Sequence, residues 1–229
     1  MLRSLIEKLT GAGPQKEPAV QKKQPRDIGA LRMIVIADLH ACYHKDAMAI
    51  RTILKTEEYD CVLFLGDIHA GDIKSFVPCA GGRPCLYVLG NHDEWHQNRG
   101  IDGLTDLDGK VVKIRGVKIG GASGAPRYKQ NPDFAMRTEE EIGKVLDGLG
   151  EVDILVTHES PYHLMSRNTA HSGYMAITDY LGKNDVPLHI FGHHHDNYEE
   201  VIKGTREVCV YGCAMVRTMP FDKISAACS

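Results

Sequence analysis

Five short hydrophobic runs in this chain each end in Asp, Asn or His. Met33–Ile36 leads to Asp38-Leu39-His40, and Cys61–Leu65 to Gly66-Asp67. Cys85–Leu89 leads to Gly90-Asn91-His92-Asp93, Val152–Val156 to Thr157-His158, and Leu188–Phe191 to Gly192-His193-His194-His195. These side chains offer carboxylate and amide oxygens and imidazole nitrogens, with no thiolate among them. That donor mix suits Mn²⁺, Fe, Zn²⁺, Co²⁺ or Ni²⁺ rather than a cysteine site or an all-oxygen Ca²⁺ site. The candidates are too many for one four-coordinate ion and suit two ions sharing a carboxylate. Two metals roughly 3.5–4 Å apart clamp the attacking and leaving oxygens of an in-line displacement at phosphorus. A water held between them loses a proton near neutral pH and becomes the nucleophile.

The elements that must position these residues follow from periodicity and turn chemistry. The apolar runs read as strands over 33–37, 61–65, 85–89, 152–156 and 188–191. In open α/β sheets ligands gather at the carboxyl ends of strands, so one polar site built from five strand ends is expected. Ala47, Ile50, Ile53 and Leu54 form the inner face of a helix over about 45–55. A Gly-rich, Pro-containing segment (71–84) crosses to the third strand, and 94–110 reads as a polar loop. Residues 111–119 alternate about Gly116 as a hairpin, and 121–137 reads as irregular. Thr138 with Glu141 three residues later is a capping box that opens a helix over 138–148. A helix is expected over 174–182, and Val201-Ile202 and Val208–Tyr211 read as closing strands of a second sheet.

Leu2, Leu5, Ile6 and Leu9 share one face of a short amphipathic helix, followed by a Pro-, Gln- and Lys-rich stretch. Residues 1–30 therefore read as an arm and linker, and 31–229 as the folded domain. The arm's basic balance would allow contact with an anionic membrane or a partner through residues 1–10. From Met33 onward 20 Lys/Arg face 27 Asp/Glu, which makes nucleic acid an unlikely partner. No apolar run reaches membrane-spanning length, and Met1–Thr10 lacks a secretory signal pattern. The seven cysteines form no C-x-x-C pair, which reads as reduced core thiols in a cytoplasmic protein. Oligomeric state is open.

The ordered series D-x-H, G-D, G-N-H-D, H and G-H-x-H, each behind an apolar strand, resembles the calcineurin-like metallophosphoesterase superfamily over about residues 33–213. The resemblance implies an α/β fold, a four-layer αββα sandwich of two mixed β-sheets flanked by helices, with the site at one rim. It implies two divalent transition metal ions, manganese favoured. Asp38, His40 and His195 would bind the first, Asp67 would bridge, and Asn91, His158 and His193 would bind the second. His92 would not be a ligand. It would lie over the leaving group as a hydrogen-bond and proton donor, with Asp93 fixing its tautomer and raising its pKa. His194, between two ligands under a period of two, is expected to turn the other way, either to contact substrate or to sit in solvent, with solvent preferred, and His69 is a similar case.

The chain lacks the Arg-bearing G-D-x-x-D-R-G of the family's protein phosphatases. Residues 121–136 and His158-Glu159-Ser160-Pro161 are similar to the subgroup acting on cyclic nucleotides and aryl diesters. The resemblance thus implies a phosphodiesterase for small diesters, cyclic nucleotides among them, with Arg127, Tyr128 or Arg167 as optional substrate contacts. The alternatives are a phosphomonoesterase or nuclease with the same metals, or a non-catalytic protein-binding scaffold of the same fold.

Overall fold

The computed structural model describes residues 28–41, 45–162 and 172–218. Its first strand, β1 (Arg32–Ala37), shows why the sequence carries unbroken apolar runs. Met33, Val35 and Ala37 face one core, and Ile34 and Ile36 face another. A strand covered on both faces has no polar alternation. β2 (Cys61–Phe64) and β3 (Cys85–Tyr87) repeat this pattern and pair with β1 in parallel order, and β4 (Leu104–Asp106) adds a fourth parallel strand. The crossovers carry helix α1 (Lys45–Thr56) and helix α2 (Ala70–Phe76), the latter running into a 3₁₀ turn over Val77–Ala80.

The second sheet begins with the hairpin β5 (Val111–Ile114) and β6 (Val117–Ala122). A small parallel pair, β7 (Ala125–Pro126) and β8 (Met136–Arg137), precedes helix α3 (Glu139–Leu149). The chain continues through β9 (Ile154–Thr157), α4 (Met175–Lys183), β10 (Leu188–Phe191), β11 (Tyr198–Ile202) and β12 (Thr205–Cys209). The order is β11-β12-β10-β9-β6-β5, parallel at the centre and antiparallel at both edges. The last strand, β13 (Gly212–Arg217), crosses back to pair antiparallel with β1 and completes the order β13-β1-β2-β3-β4.

Met33, Val35, Leu63, Leu86, Ile119, Ile154 and Ile190 fill the space between the sheets. Ile50 and Leu54 of α1 and Ile73 and Phe76 of α2 cover the outer face of the first sheet. Ile142, Leu146 and Ile177 of α3 and α4 cover the outer face of the second. This is the expected αββα sandwich. Each of these side chains contributes roughly 1.5–3 kcal/mol by leaving water. The Thr138–Glu141 capping box is present, with both reciprocal hydrogen bonds made.

Five elements differ from the sequence reading, among them the two-residue strands β7 and β8 inside 121–137, which reads as irregular. The crossing segment 71–84 holds α2, whose seven residues are too few for a visible helical period. The 94–110 loop holds β4, which is only three residues long. β13 carries no strand signal in the sequence, because Gly212, Cys213 and Ala214 are small and the strand lies on an edge with one face half-buried. The amphipathic stretch over 2–9, the linker as far as residue 27, Arg167 and His171 lie outside the described residues. Leu31 is tied to the far end of the chain: its N–H donates to Thr218 Oγ1 at 2.7 Å, and Thr218 N–H donates to its carbonyl at 2.9 Å. No helix among the described residues is long and apolar enough to cross a membrane.

Candidate metal centre

The carboxyl ends of β1, β2 and β3 from one sheet and of β9 and β10 from the other meet at one rim. The main chain locks them together. Asp38 N–H donates to Gly66 O at 3.1 Å, His40 N–H to Asp67 O at 3.0 Å, and Gly192 N–H to His158 O at 3.0 Å. Asp38, Asp67, His193 and His195 have φ of 56°, 55°, 65° and 52°. This left-handed region is uncommon for residues with a Cβ, and Asp and His are among those that tolerate it best. The turn it creates at each strand end throws the side chain sideways into the rim. The neighbouring glycines make room: a Cβ at Gly90 would lie 2.2 Å from Asp67 Oδ1, and one at Gly192 would lie 2.7 Å from Asp38 Oδ2.

Three overlapping groups of donor atoms result, each with all atoms within 4.8 Å of one another: Asp38, His40 and His195; His40, Asp67 and His92; Asp67, His158 and His193. Asp67 stands at the junction. Its Oδ1 accepts the His92 N–H at 2.8 Å. Its Oδ2 lies 3.8 Å from His40 Nδ1 and 3.6 Å from His158 Nε2. His158 Nε2 is also 3.1 Å from Asn91 Oδ1 and 3.1 Å from His193 Nδ1. His158 Nδ1 pairs with the Leu65 carbonyl at 2.7 Å, so this nitrogen carries the proton and Nε2 is left with a lone pair facing the cluster. All seven ligand-type residues expected from the sequence are therefore in one place.

The chemistry of the donor set fits divalent cations. Asp38, Asp67, Asp93 and Glu159 are buried, and none is paired with Lys or Arg among the described residues. Buried charges are normally paired or bound to metal. Asp38 Oδ2 accepts the His193 N–H at 2.9 Å, whereas Asp38 Oδ1 and His40 Nδ1 are buried without a hydrogen-bond partner. Oδ1 lies 3.7 Å from His195 Nε2, so the donor atoms lacking partners converge in the first group. Burial pushes the Asp38 carboxyl up, and Asp67 adds to this against the pull of His158. Burial would also raise Asp67, but His158, the His92 N–H, and the His92 and His40 rings together hold it below the usual carboxylate range.

His92 is exposed and stacks on His40, with ring centroids 4.5 Å apart. The expected pairing of His92 with Asp93 is absent. Both Asp93 oxygens are taken: Oδ2 accepts the N–H of Asp67 at 2.8 Å and of Gly90 at 2.9 Å, and Oδ1 accepts Gln97 Nε2 at 2.7 Å. Asp93 ties the ends of β2 and β3 together instead, and burial, with Asp67 beside it, pushes its carboxyl up to about 6. His92 is not raised either. Although the residue is exposed, partial desolvation of its ring, followed by Lys129, His40 and His158, holds it below its ordinary value against the pull of Asp67.

Glu159 is a site residue that sequence reasoning misses, because an acid after a strand-end His reads as an ordinary loop residue. It is fully buried. Its Oε2 lies 3.4 Å from His193 Nε2, on the far side of that ring from His158. Its Oε1 accepts Ser160 N–H at 2.9 Å and faces His194 Nε2 at 3.7 Å. His194 turns away from the metal-ligand candidates as expected, but not into solvent. Its Nε2 is 3.0 Å from Ser160 Oγ. His69 is exposed at the start of α2. Arg127, an optional substrate contact in the sequence reading, has its guanidinium paired with Glu141 at 2.7 Å. Tyr128, 52% exposed, accepts the Asn91 amide Nδ2 at 2.7 Å, which turns Asn91 Oδ1 toward His158.

Residues 31–197 match the family model of the calcineurin-like phosphoesterases, and the chain belongs to this family. Its fold is similar to TT1561 of Thermus thermophilus, with a TM-score of 0.64 and 12% identity over 83% of this chain and 100% of that one. It is also similar to the phosphopantetheinyl hydrolase PptH from Mycobacterium tuberculosis, with a TM-score of 0.56 and 15% identity over 84% and 91% of the two chains. GAP50, the anchor in the inner membrane complex of Plasmodium, gives a TM-score of 0.52 and 14% identity over 80% and 71%. At these identities the likeness is one of fold. No curated protein matches the chain. The family binds divalent metals, in keeping with the donor groups described above.

Proposed function

We propose that the protein is a metal-dependent hydrolase of small phosphodiesters. The observation that carries this reading is Asp67 Oδ2, which faces His40 at 3.8 Å and His158 at 3.6 Å and so belongs to two donor groups at once. Asp38, His40, Asp67 and His195 would hold one divalent ion, and Asp67, Asn91, His158 and His193 the other. Such a pair, when bound, supplies positive charge to phosphoryl oxygens and activates water near neutral pH. Manganese is the proposed metal, on the mixed oxygen and nitrogen donor set.

The rest of the chemistry belongs to the chain. His92, exposed on the rim, would donate a ring N–H to the phosphate or the departing oxygen. Tyr128 would keep Asn91 Oδ1 aimed inward. Asp93, through the N–H groups of Asp67 and Gly90, would hold the carboxylate in register. Among the described residues, Lys129 is the one Lys or Arg whose head group contacts a residue of the site. A rim with one cation suits a diester, which carries one negative charge, better than a dianionic monoester. The acidic balance of the domain speaks against a nucleic acid backbone as substrate.

The compartment we propose is the cytoplasm, where thiols such as the free Cys61, Cys79, Cys85, Cys209 and Cys213 persist. Residues 1–30 are, in this reading, an arm and linker ahead of the catalytic domain, with Ile28 already packed against its core.

Glu159 would act as a positioning residue, holding His193 Nε2–H so that Nδ1 faces the second ion. Burial alone would raise its carboxyl, but His194, His193 and the Ser160 N–H keep it low and therefore charged. Glu159→Gln is expected to weaken retention of one of two ions by about 10–100-fold, the usual effect of removing an outer partner of a ligand. Competition with a graded series of chelators measures this. Unaltered affinity at both sites would reduce Glu159 to a packing role.

The test of the function itself is hydrolysis of bis-p-nitrophenyl phosphate against p-nitrophenyl phosphate, with Mn²⁺ and with EDTA. Faster, metal-dependent release from the diester is expected. Faster release from the monoester would make the protein a phosphatase. Inertness toward both, with metal shown to be bound, would shift the reading to a protein-binding scaffold.

A further inference from the structure

The excursion that holds β7 and β8 carries three cations, Arg127, Lys129 and Arg137. Two are neutralised. Arg127 pairs with Glu141 at 2.7 Å, and Arg137 pairs with Asp108 at 2.7 Å while its guanidinium lies over Trp95. Lys129 has no carboxylate partner among the described residues. Its ammonium donates to the Asn91 carbonyl at 2.9 Å and sits 4.4 Å from the Phe134 ring centroid and 5.3 Å from that of Tyr128. The carbonyl it holds belongs to the peptide joining Asn91 to His92. An ammonium has three protons, and one is used here.

We propose that Lys129 is a specificity-determining contact, binding a non-bridging oxygen of the substrate's phosphate beside His92. This rests on the phosphoesterase reading for the identity of the substrate. Three features argue for a ligand contact rather than an idle surface charge. The charge is uncompensated, although both other cations of the same excursion are paired. It is anchored by a carbonyl and an aromatic face, so much of the rotamer freedom that a lysine loses on binding is lost beforehand. Its anchor is the backbone of a site residue, so the ammonium is registered to the rim even though the excursion lies outside the main sheets, between β6 and α3. The chemistry recognised is a tetrahedral oxyanion, and inorganic phosphate is the simplest probe.

The experiment is calorimetric titration of inorganic phosphate into the metal-loaded full chain, as wild type, Lys129→Met and Lys129→Arg. Metal content is read on each sample by elemental analysis. Lys129→Met is expected to weaken phosphate by about tenfold, as for loss of one charge-assisted hydrogen bond, with metal retained. Lys129→Arg is expected to recover most of the loss. Equal affinity in wild type and Lys129→Met overturns the proposal, as does absence of phosphate binding by the wild type. Loss of metal from Lys129→Met would also overturn it, making Lys129 a brace for Asn91. Binding needs no turnover, so the two readings fail separately. A protein inert toward both nitrophenyl esters that still binds phosphate through Lys129 would lose the phosphodiesterase reading and keep this one.

Discussion

Asp67→Ala is expected to lose both metal ions and, with them, hydrolysis. Its Oδ2 lies within reach of both His40 and His158, at 3.8 and 3.6 Å. Without it the first group keeps Asp38, His40 and His195, and the second keeps Asn91, His158 and His193, with no shared anion between them. Two dications held close together would repel, and a carboxylate shared between them would offset that repulsion at shortest range. The loss in metal-dependent rate should therefore exceed the roughly 10–100-fold that follows from removing an outer partner. Elemental analysis of the purified variant is the primary readout. Two ions per chain in Asp67→Ala would mean that the shared ligand has been misassigned. Asp67→Asn adds a control, because the amide oxygen can still accept the His92 N–H now held at 2.8 Å while the charge is gone.

His92→Ala should separate catalysis from metal binding. The ring is exposed on the rim, and its backbone, not its imidazole, supports Asp67. The variant should keep two ions and slow turnover by about 10²–10⁴-fold, the usual worth of a positioned proton donor. The pH profile sharpens this expectation. Partial desolvation of the ring, with Lys129, His40 and His158 nearby, holds the His92 pKa below its ordinary value against the pull of Asp67. A lowered imidazole pKa means that the ring is charged only in the more acidic range and is already neutral above pH 7. A neutral imidazole still has one N–H to donate. Rate should thus not decline between pH 7 and 8 through His92, and the wild-type and His92→Ala profiles should run parallel there. A wild-type fall across that interval, missing from the variant, would show His92 acting as imidazolium. Normal turnover in His92→Ala would take the residue out of the mechanism.

The five strand ends were legible because they combine two local signals, an apolar run and a polar terminus within a few residues. Asp38, Asp67 and His158 each carry such a signal. What was not legible depends on contacts between distant segments. Glu159 follows His158 directly, yet its partner across the ring is His193. Asp93 sits beside His92 in the chain but spends its oxygens on Asp67, Gly90 and Gln97. Adjacency in sequence suggested a His–Asp pair, whereas the tight turn after β3 directs the two side chains apart, His92 to the surface and Asp93 to the interior. Arg127 and Lys129 differ by two positions, and only the position of Glu141 at the start of α3 shows which one is neutralised. The short α2 and the edge strand β13 escaped for a different reason: neither is long or apolar enough to display a period of its own.

Four of the seven ligand-type residues occupy left-handed backbone, and glycines at 90 and 192 leave no space for a Cβ beside the Asp67 and Asp38 carboxylates. Rotations that would let donors follow an ion are restrained, because the strand ends are tied across the two sheets: His193 N–H donates to Asp38 Oδ2 at 2.9 Å and His158 Nδ1 to the Leu65 carbonyl at 2.7 Å. The aperture of the site is a property of the polypeptide frame rather than of whatever fills it. A rigid aperture selects by ionic radius and coordination number, so ions of similar size should exchange with little structural response. An ion such as Ca²⁺, which seeks 6–8 oxygens at 2.3–2.6 Å, would not find enough oxygen donors among these imidazoles.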